Sequence, residues 1–331
     1  MPMLGIAGAG SVGVVDTKAP VDTETKSALI DEERPGKEET FFAIGIEARL
    51  QDFVQSVRHR EQLLAAGVTT PTRLLIHGPP GCGKTLLARR LAFELALPLL
   101  TVRCDALISS LLGQTGRNLR QVFDYAAGRP CVLFLDEFDA LAKARGHASE
   151  VGELQRVVIS LLQNLDALPE DTVVVAATNH EELLDRAIWR RFAFVMPIGA
   201  PSVEQRTKIW SHALRSMRAE PRDYEILAMF SEGLSGAAIQ TAAFDAVRDA
   251  VIKGCHTISL PATMRRLGAH IRLIQGARPL ELDDEIRWLR DWAPKIFTWK
   301  ILSDLFGVSQ RQIQKLIGDK EVHERSKQAD H

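Results

Sequence analysis

Gly78-Pro79-Pro80-Gly81-Cys82-Gly83-Lys84-Thr85, followed by Leu86, is a glycine-rich run that closes on a lysine and a hydroxyl. Glycines let successive backbone N–H groups face inward, where they cradle phosphate oxygens. A helix beginning at the lysine would aim its positive end at the same charge. At this spacing Lys84 reaches the β- and γ-phosphates of a bound nucleotide, and Thr85 binds Mg²⁺. The expected ligand is therefore ATP with Mg²⁺, held by Gly78 to Leu86.

A second constellation is Val132-Leu133-Phe134-Leu135-Asp136-Glu137. Four apolar residues end in two acids, so a buried strand would deliver both carboxylates at its carboxyl end, where open α/β sheets bind ligands. Asp136 is suited to hold Mg²⁺. Glu137 is suited to polarise an attacking water as general base. Joined to the glycine-rich loop, the pair points to hydrolysis of ATP.

Both motifs need strands to carry them. Leu74 to Ile76, Leu99 to Val102, Cys131 to Leu135, Thr172 to Ala177 and Phe192 to Ile198 read as short apolar strands. Helical patterns over Ile46–Ala66, Thr85–Ala96, Gly116–Ala127 and Glu150–Asp166 alternate with them. That alternation predicts a three-layer α/β fold with a mostly parallel sheet covered on both faces, over residues 41–200. From Pro201 the strands stop. Residues 201–256 are expected to form an α-helical lid, and residues 257–331 a further helical segment.

Length and composition fit this plan. The chain has 331 residues, 46% hydrophobic and 25% charged, which supports a sizeable core. A net charge of -1 does not indicate a globally basic nucleic-acid binder and leaves a local basic patch open. Cys82, Cys104, Cys131 and Cys255 lack paired spacing and read as reduced thiols of a cytoplasmic protein. No apolar run reaches membrane-spanning length, and no secretory signal opens the chain. Residues 1–40 are expected to be a disordered tail. Gly8-Ala9-Gly10-Ser11-Val12-Gly13 within it matches a dinucleotide-binding fingerprint, but no helix can be drawn after it.

With the two motifs placed, residues 41 to 253 resemble an AAA ATPase. Ala176-Ala177-Thr178-Asn179 is similar to the family's sensor 1 strand end, which implies that Asn179 bonds the γ-phosphate or the attacking water. Leu183 to Phe192 resembles the arginine-finger segment, and the adjacent pair Arg190-Arg191 is similar to katanin- and spastin-like members. The resemblance implies that these arginines reach the nucleotide of a neighbouring subunit, in a homo-oligomeric and usually hexameric ring. Gly233-Leu234-Ser235-Gly236-Ala237-Ala238-Ile239 resembles the start of the lid helix of the sensor 2 region, with Ala238 where an acid is frequent. Ile108 to Gln114 matches the first pore loop, and Arg145 to Glu150 takes the second pore-loop position. Members that thread polypeptides carry an aromatic residue where this chain has Leu111. Leu supplies apolar contact only, so Leu111 either grips substrate or packs a helix. The implied partners are a protein substrate or a partner protease.

The segment 298–317 resembles a helix-turn-helix. Ile301, Leu302, Leu305, Val308, Ile313 and Leu316 would share a core between two crossed helices, Gly307 permits a left-handed turn, and Ser309 caps the second helix. Gln310, Arg311, Gln312, Gln314 and Lys315 face outward, and such side chains can read base edges. Helix-turn-helix folds also dock proteins, so DNA and protein both stand as partners for this segment.

Overall fold

A computed structural model of the chain describes residues 19–22, 25–69, 72–107, 112–139 and 151–317. It divides into two compact units. The first takes the chain up to Thr40, Gly45–Gly78 and Lys84–Ile198; the second takes Phe41–Ile44, Pro79–Gly83 and everything from Gly199 onward.

The first unit is built on a six-stranded sheet in the order β1-β3-β4-β5-β2-β6. The strands are β1 (Ile30–Glu33), β2 (Arg73–His77), β3 (Leu99–Val102), β4 (Val132–Leu135), β5 (Val173–Thr178) and β6 (Phe194–Pro197). The five from β2 to β6 pair in parallel, with registers such as Leu135 beside Ala176 and His77 beside Thr178. Every residue of β4 and β5 is buried, so both faces of the sheet are covered, as their unbroken apolar runs require. The helices Lys84–Leu95, Leu112–Ala127 and Val151–Ala167 alternate with the strands. The α/β expectation therefore holds. Among the described residues, no helix is long and apolar enough to cross a membrane.

Two local expectations are corrected. The tail expected over residues 1–40 contains β1, which pairs antiparallel with β3 through Ile30–Val102 and Glu33–Leu99. Leu29 and Ile30 are buried, while Asp31 and Glu32 face solvent. Two apolar anchors suffice for an edge strand whose other side chains are charged, and charge on an edge also discourages pairing with other chains. Asp22 is buried upstream of it, accepting from Asn118 Nδ2 at 2.7 Å. The helix expected over Ile46–Ala66 is in fact two, Ile44–Arg58 and Arg60–Ala65, with the break at His59. Burial pushes the Cys131 thiol up to about 12, which keeps it protonated and inert.

The second unit is helical: Val203–Ala213, Pro221–Phe230, Gly236–Ile252, Leu260–Ile274, Leu282–Trp292, Trp299–Phe306 and a last helix over 310–317. Their starts are capped. Ser202 and Gln205 form a reciprocal capping box, and Ser235, Ser259 and Thr298 each accept from a backbone N–H of their first turn. One core runs through Trp210, Leu227, Ile239, Met264, Leu267, Ile286, Leu289, Phe297, Leu302 and Ile313. The expected lid and C-terminal segment thus share a single core, although periodicity alone separated them at residue 257. The helix Trp299–Phe306 ends on Gly307 at φ 67, and Ser309 and Gln312 bond reciprocally at the next start. Gln310, Arg311, Gln312, Gln314 and Lys315 are exposed, and Ile313 is buried.

Candidate active site

The loop leaves β2 at Gly78, where the backbone is squeezed between β5 and β6. Gly78 N donates to Thr178 O at 3.3 Å, and Ile198 N donates to His77 O at 2.8 Å. At φ 145, a Cβ on Gly78 would lie 1.9 Å from Ile198 O. Only glycine fits. Gly81 at φ 75 and Gly83 at φ 98 also take positive φ, the backbone freedom that an anion-cradling loop needs. Within the helical unit, Gly81 O accepts from Ala237 N at 3.1 Å, and a Cβ on Gly81 would meet Ser235 Oγ at 2.7 Å. The start of the helix Gly236–Ile252 therefore holds the loop by its backbone. This explains why Gly233 to Ile239 matters without supplying a reactive side chain.

The helix Lys84–Leu95 begins on Lys84 and Thr85, the two residues expected to meet phosphate and Mg²⁺. Lys84 is only 7% exposed, and its Nζ donates to Gly78 O at 2.7 Å and to Asn179 Oδ1 at 2.6 Å. Thr85 Oγ1 donates to Asp136 Oδ2 at 2.8 Å. A hydroxyl and a carboxylate oxygen set side by side are the hard donors that Mg²⁺ prefers. The buried Lys84 ammonium at Gly78 O suits phosphate. The residues present therefore fit ATP with Mg²⁺.

Beyond β4 the chain turns sharply. Asp136 Oδ1 accepts from Glu137 N at 2.9 Å, and Glu137 takes φ 48, left-handed for a residue that carries a Cβ. Its side chain is exposed at the carboxyl end of the sheet. Strained backbone of this kind persists where neighbours over-determine it. Here they do: Phe138 is buried and its N donates to Ala177 O at 2.8 Å. Asp139 is 1% exposed and accepts from Thr178 Oγ1 at 3.2 Å and Asn179 N at 3.3 Å. Asp139 thus ties the end of β4 to the end of β5 and fixes the backbone of Asn179. The sequence reading missed it. Its signal was a third acid three residues after Asp136, indistinguishable in sequence from a solvated turn residue.

The arginine pair follows the short helix Arg186–Trp189, which Asp185 caps through Ala187 N at 2.8 Å. Arg190 is exposed. Arg191 is not equivalent: its Nη2 lies 3.0 Å from Asp166 Oδ2 and its Nη1 donates to Ala187 O at 3.2 Å. That guanidinium, helped by Arg73, holds the Asp166 carboxyl below the usual range, and the carboxylate in turn raises Arg191. The structure joins Gly78, Lys84, Thr85, Asp136, Glu137 and Asn179 in one place. Arg190 and Arg191 stand outside that set. Leu111 and Arg145 to Glu150 lie outside the described residues, as does the fingerprint Gly8 to Gly13. Gln114 is described, and it is buried in the helix Leu112–Ala127.

Comparison with known proteins bears on this geometry. Residues 74–200 match the model of the ATPase family associated with various cellular activities (AAA). The uncharacterized AAA family ATPase y4kL of Sinorhizobium fredii is 47% identical over 152 residues, covering 46% of each chain. The proteasome-activating nucleotidase of Aeropyrum pernix is 33% identical over 247 residues, 70% of this chain and 60% of that relative. The chain therefore spans 46% to 60% of the length of these curated relatives. Among solved structures, the AAA domain of FIGL-1 superposes with a TM-score of 0.60 over 81% of this chain and 92% of that one. At 23% identity the likeness is one of fold.

Proposed function

We propose that the chain, which contains an AAA family domain over residues 74–200, hydrolyses ATP in a homo-oligomeric, hexameric ring to remodel a protein. The observation that carries this reading is Lys84 Nζ bonded to both Gly78 O and Asn179 Oδ1, beside the Thr85–Asp136 pair. Residues from three segments distant in sequence meet at the carboxyl ends of β2, β4 and β5, in the arrangement that phosphoryl transfer needs.

The residues divide the work. The loop from Gly78 to Thr85 and the Lys84 ammonium bind the phosphates and orient the terminal one. Thr85 and Asp136 would hold Mg²⁺, which neutralises phosphate charge when bound. Glu137 orients a water and takes its proton. Asn179, its backbone set by Asp139, positions that water or the terminal phosphate. Arg190 stabilises charge at the site of a neighbouring copy. Phosphate release from ATP and Mg²⁺ is the test, with Lys84→Ala as the comparison. A wild-type chain that assembles with ATP yet releases no phosphate would remove hydrolysis from the reading.

Protein as the target is supported by the name of the Aeropyrum relative, which ties it to proteasome activation. The buried thiols of Cys104 and Cys131 suit a reducing cytoplasm. A DNA-associated ATPase is the second reading, favoured by the exposed face Gln310, Arg311, Gln312 and Gln314 on the last helix. Truncation is the wrong test, because Ile286, Leu302 and Ile313 belong to the shared core. Gln310→Ala with Arg311→Ala leaves that core intact. If duplex binding exists and survives this double substitution, the last helix is not the reader.

A further inference from the structure

The helices Leu260–Ile274 and Leu282–Trp292, with the connection between them, enclose a cleft of about 210 Å³. Its walls include Leu273, Pro279, Leu280 and Trp288, and its charged side chains include Arg272 and Arg278. Cofactor and drug-sized sites run from about 300 to 1,000 Å³. A space of this size instead takes one or two side chains.

The arginines at this cleft differ in their partners. Arg265 is already neutralised, its Nε and Nη2 each 2.7 Å from a different oxygen of Glu285. Nearby cations elsewhere meet acids in the same way: Lys253 and Arg266 share Asp249, and Arg287 meets Asp284. Among the described residues, Arg272 and Arg278 have no carboxylate partner. Arg272 spends one N–H on Arg278 O at 3.1 Å and lies 5.6 Å from the centre of the Trp288 ring. Its remaining N–H groups are available, and a guanidinium is built for two-pronged capture of a carboxylate. Leu273, which lines the cleft, is 60% exposed, so apolar surface there is open to a partner.

We propose that this cleft docks a short apolar peptide segment of a partner protein that carries a carboxylate, placed against Arg272 and Arg278 with its apolar neighbour against Trp288 and Leu280. An acidic side chain and a chain end both supply this carboxylate, each with the same two oxygens. A nucleic-acid backbone would match the charge but leave the apolar walls without contact, since such interfaces are polar and wet. The docking site is independent of the nucleotide chemistry and uses none of its residues.

The test is fluorescence anisotropy with the full chain and fluorescein-labelled peptides. Gly-Ser-Leu-Phe-Glu amide carries an internal acid, Gly-Ser-Leu-Phe-Leu with a free terminus carries a chain end, and Gly-Ser-Leu-Phe-Gln amide carries neither. At least one of the first two binds saturably, the neutral peptide binds at least tenfold more weakly, and added salt weakens the binding. Arg272→Gln and Arg278→Gln each reduce affinity at least tenfold, with melting temperature and ATP turnover unchanged. Arg278 is exposed, so its variant stays informative if Arg272→Gln perturbs the fold. Equal binding of the neutral peptide, indifference to both substitutions, or no saturable peptide binding overturns the proposal. A labelled 20-base-pair duplex that binds in place of the peptides, and is lost in the same variants, assigns the cleft to nucleic acid and overturns it too.

Discussion

Arg191 grips Asp166 with two nitrogens, Nη2 at 3.0 Å from Oδ2 and Nε at 3.4 Å from Oδ1. Arg73 Nη1 stands 3.6 Å from the same carboxylate. Three elements converge on one acid: the start of β2, the end of the helix Val151–Ala167 and the turn after Arg186–Trp189. Two adjacent arginines that look interchangeable in sequence are therefore different in kind. Arg191 anchors the turn, and Arg190 extends from it.

That division predicts the effects of three substitutions. Arg190→Ala should lower ATP turnover about 10³-fold, the low end of the range for a residue that stabilises phosphoryl-transfer charge. Arg191→Ala and Asp166→Ala should lower it to a smaller and similar extent, because both release the same turn. Steady-state phosphate release decides the matter. An inactive Arg191→Ala beside a fully active Asp166→Ala would show that Arg191 reaches the phosphates itself.

The same ion pair makes stability depend on pH. The folded Asp166 carboxyl lies below its ordinary value, chiefly through the Arg191 hydrogen bond. Its contribution is complete above the ordinary carboxylate range near 4 and is lost as pH falls through the depressed value. The side chains are 32% and 48% exposed, so water screens the pair and holds its worth to about 0.5 kcal/mol. Asp166→Asn should cost that much at pH 7 and nothing near pH 2, read from urea denaturation at both values.

Glu137, the proposed general base, takes a backbone conformation that suits glycine. Left-handed backbone costs a residue with a Cβ about 1 kcal/mol. Glu137→Gly should therefore raise unfolding free energy by about 1 kcal/mol while abolishing turnover. Glu137→Gln should leave stability and ATP affinity unchanged and reduce turnover by about 10² to 10⁴, the worth of a general base. Nucleotide titration with single-turnover kinetics separates the two. Full turnover in Glu137→Gln would remove it as the base.

Asp139 links stability to the site. Asp139→Ala strips a buried acceptor from Thr178 Oγ1 and Asn179 N, and should cost about 2 kcal/mol. Turnover should fall with it, because Asn179 loses the bond that sets its backbone. Asp139→Asn keeps one acceptor oxygen and should recover part of both. Denaturation midpoints and phosphate release on the three proteins check this. A destabilised Asp139→Ala with full turnover would confine Asp139 to the core.

The glycine-rich loop, the acid pair after β4 and the five parallel strands were legible because each has a local cause. Glycine is needed where a Cβ would strike Ile198 O, and β4 and β5 are apolar throughout because both faces are covered. Other features carry no local cause. β1 rests on Leu29 and Ile30 in a charged stretch, and its strand conformation comes from the open edge of β3. His59 breaks a helix whose apolar spacing runs on without interruption. The core joining Trp210 to Ile313 spans segments that periodicity reads one at a time.

The sequence by itself determined the proposed chemistry: which residue types would face phosphate, in what order, and on which strand ends. Those depend on backbone freedom and on short-range spacing, both written along the chain. Tertiary structure alone decided which partner each charge would meet. Asp166 lies 25 residues from Arg191 and Asp139 lies 40 from Asn179, so those pairings exist only once the sheet has brought distant strand ends and helix ends together.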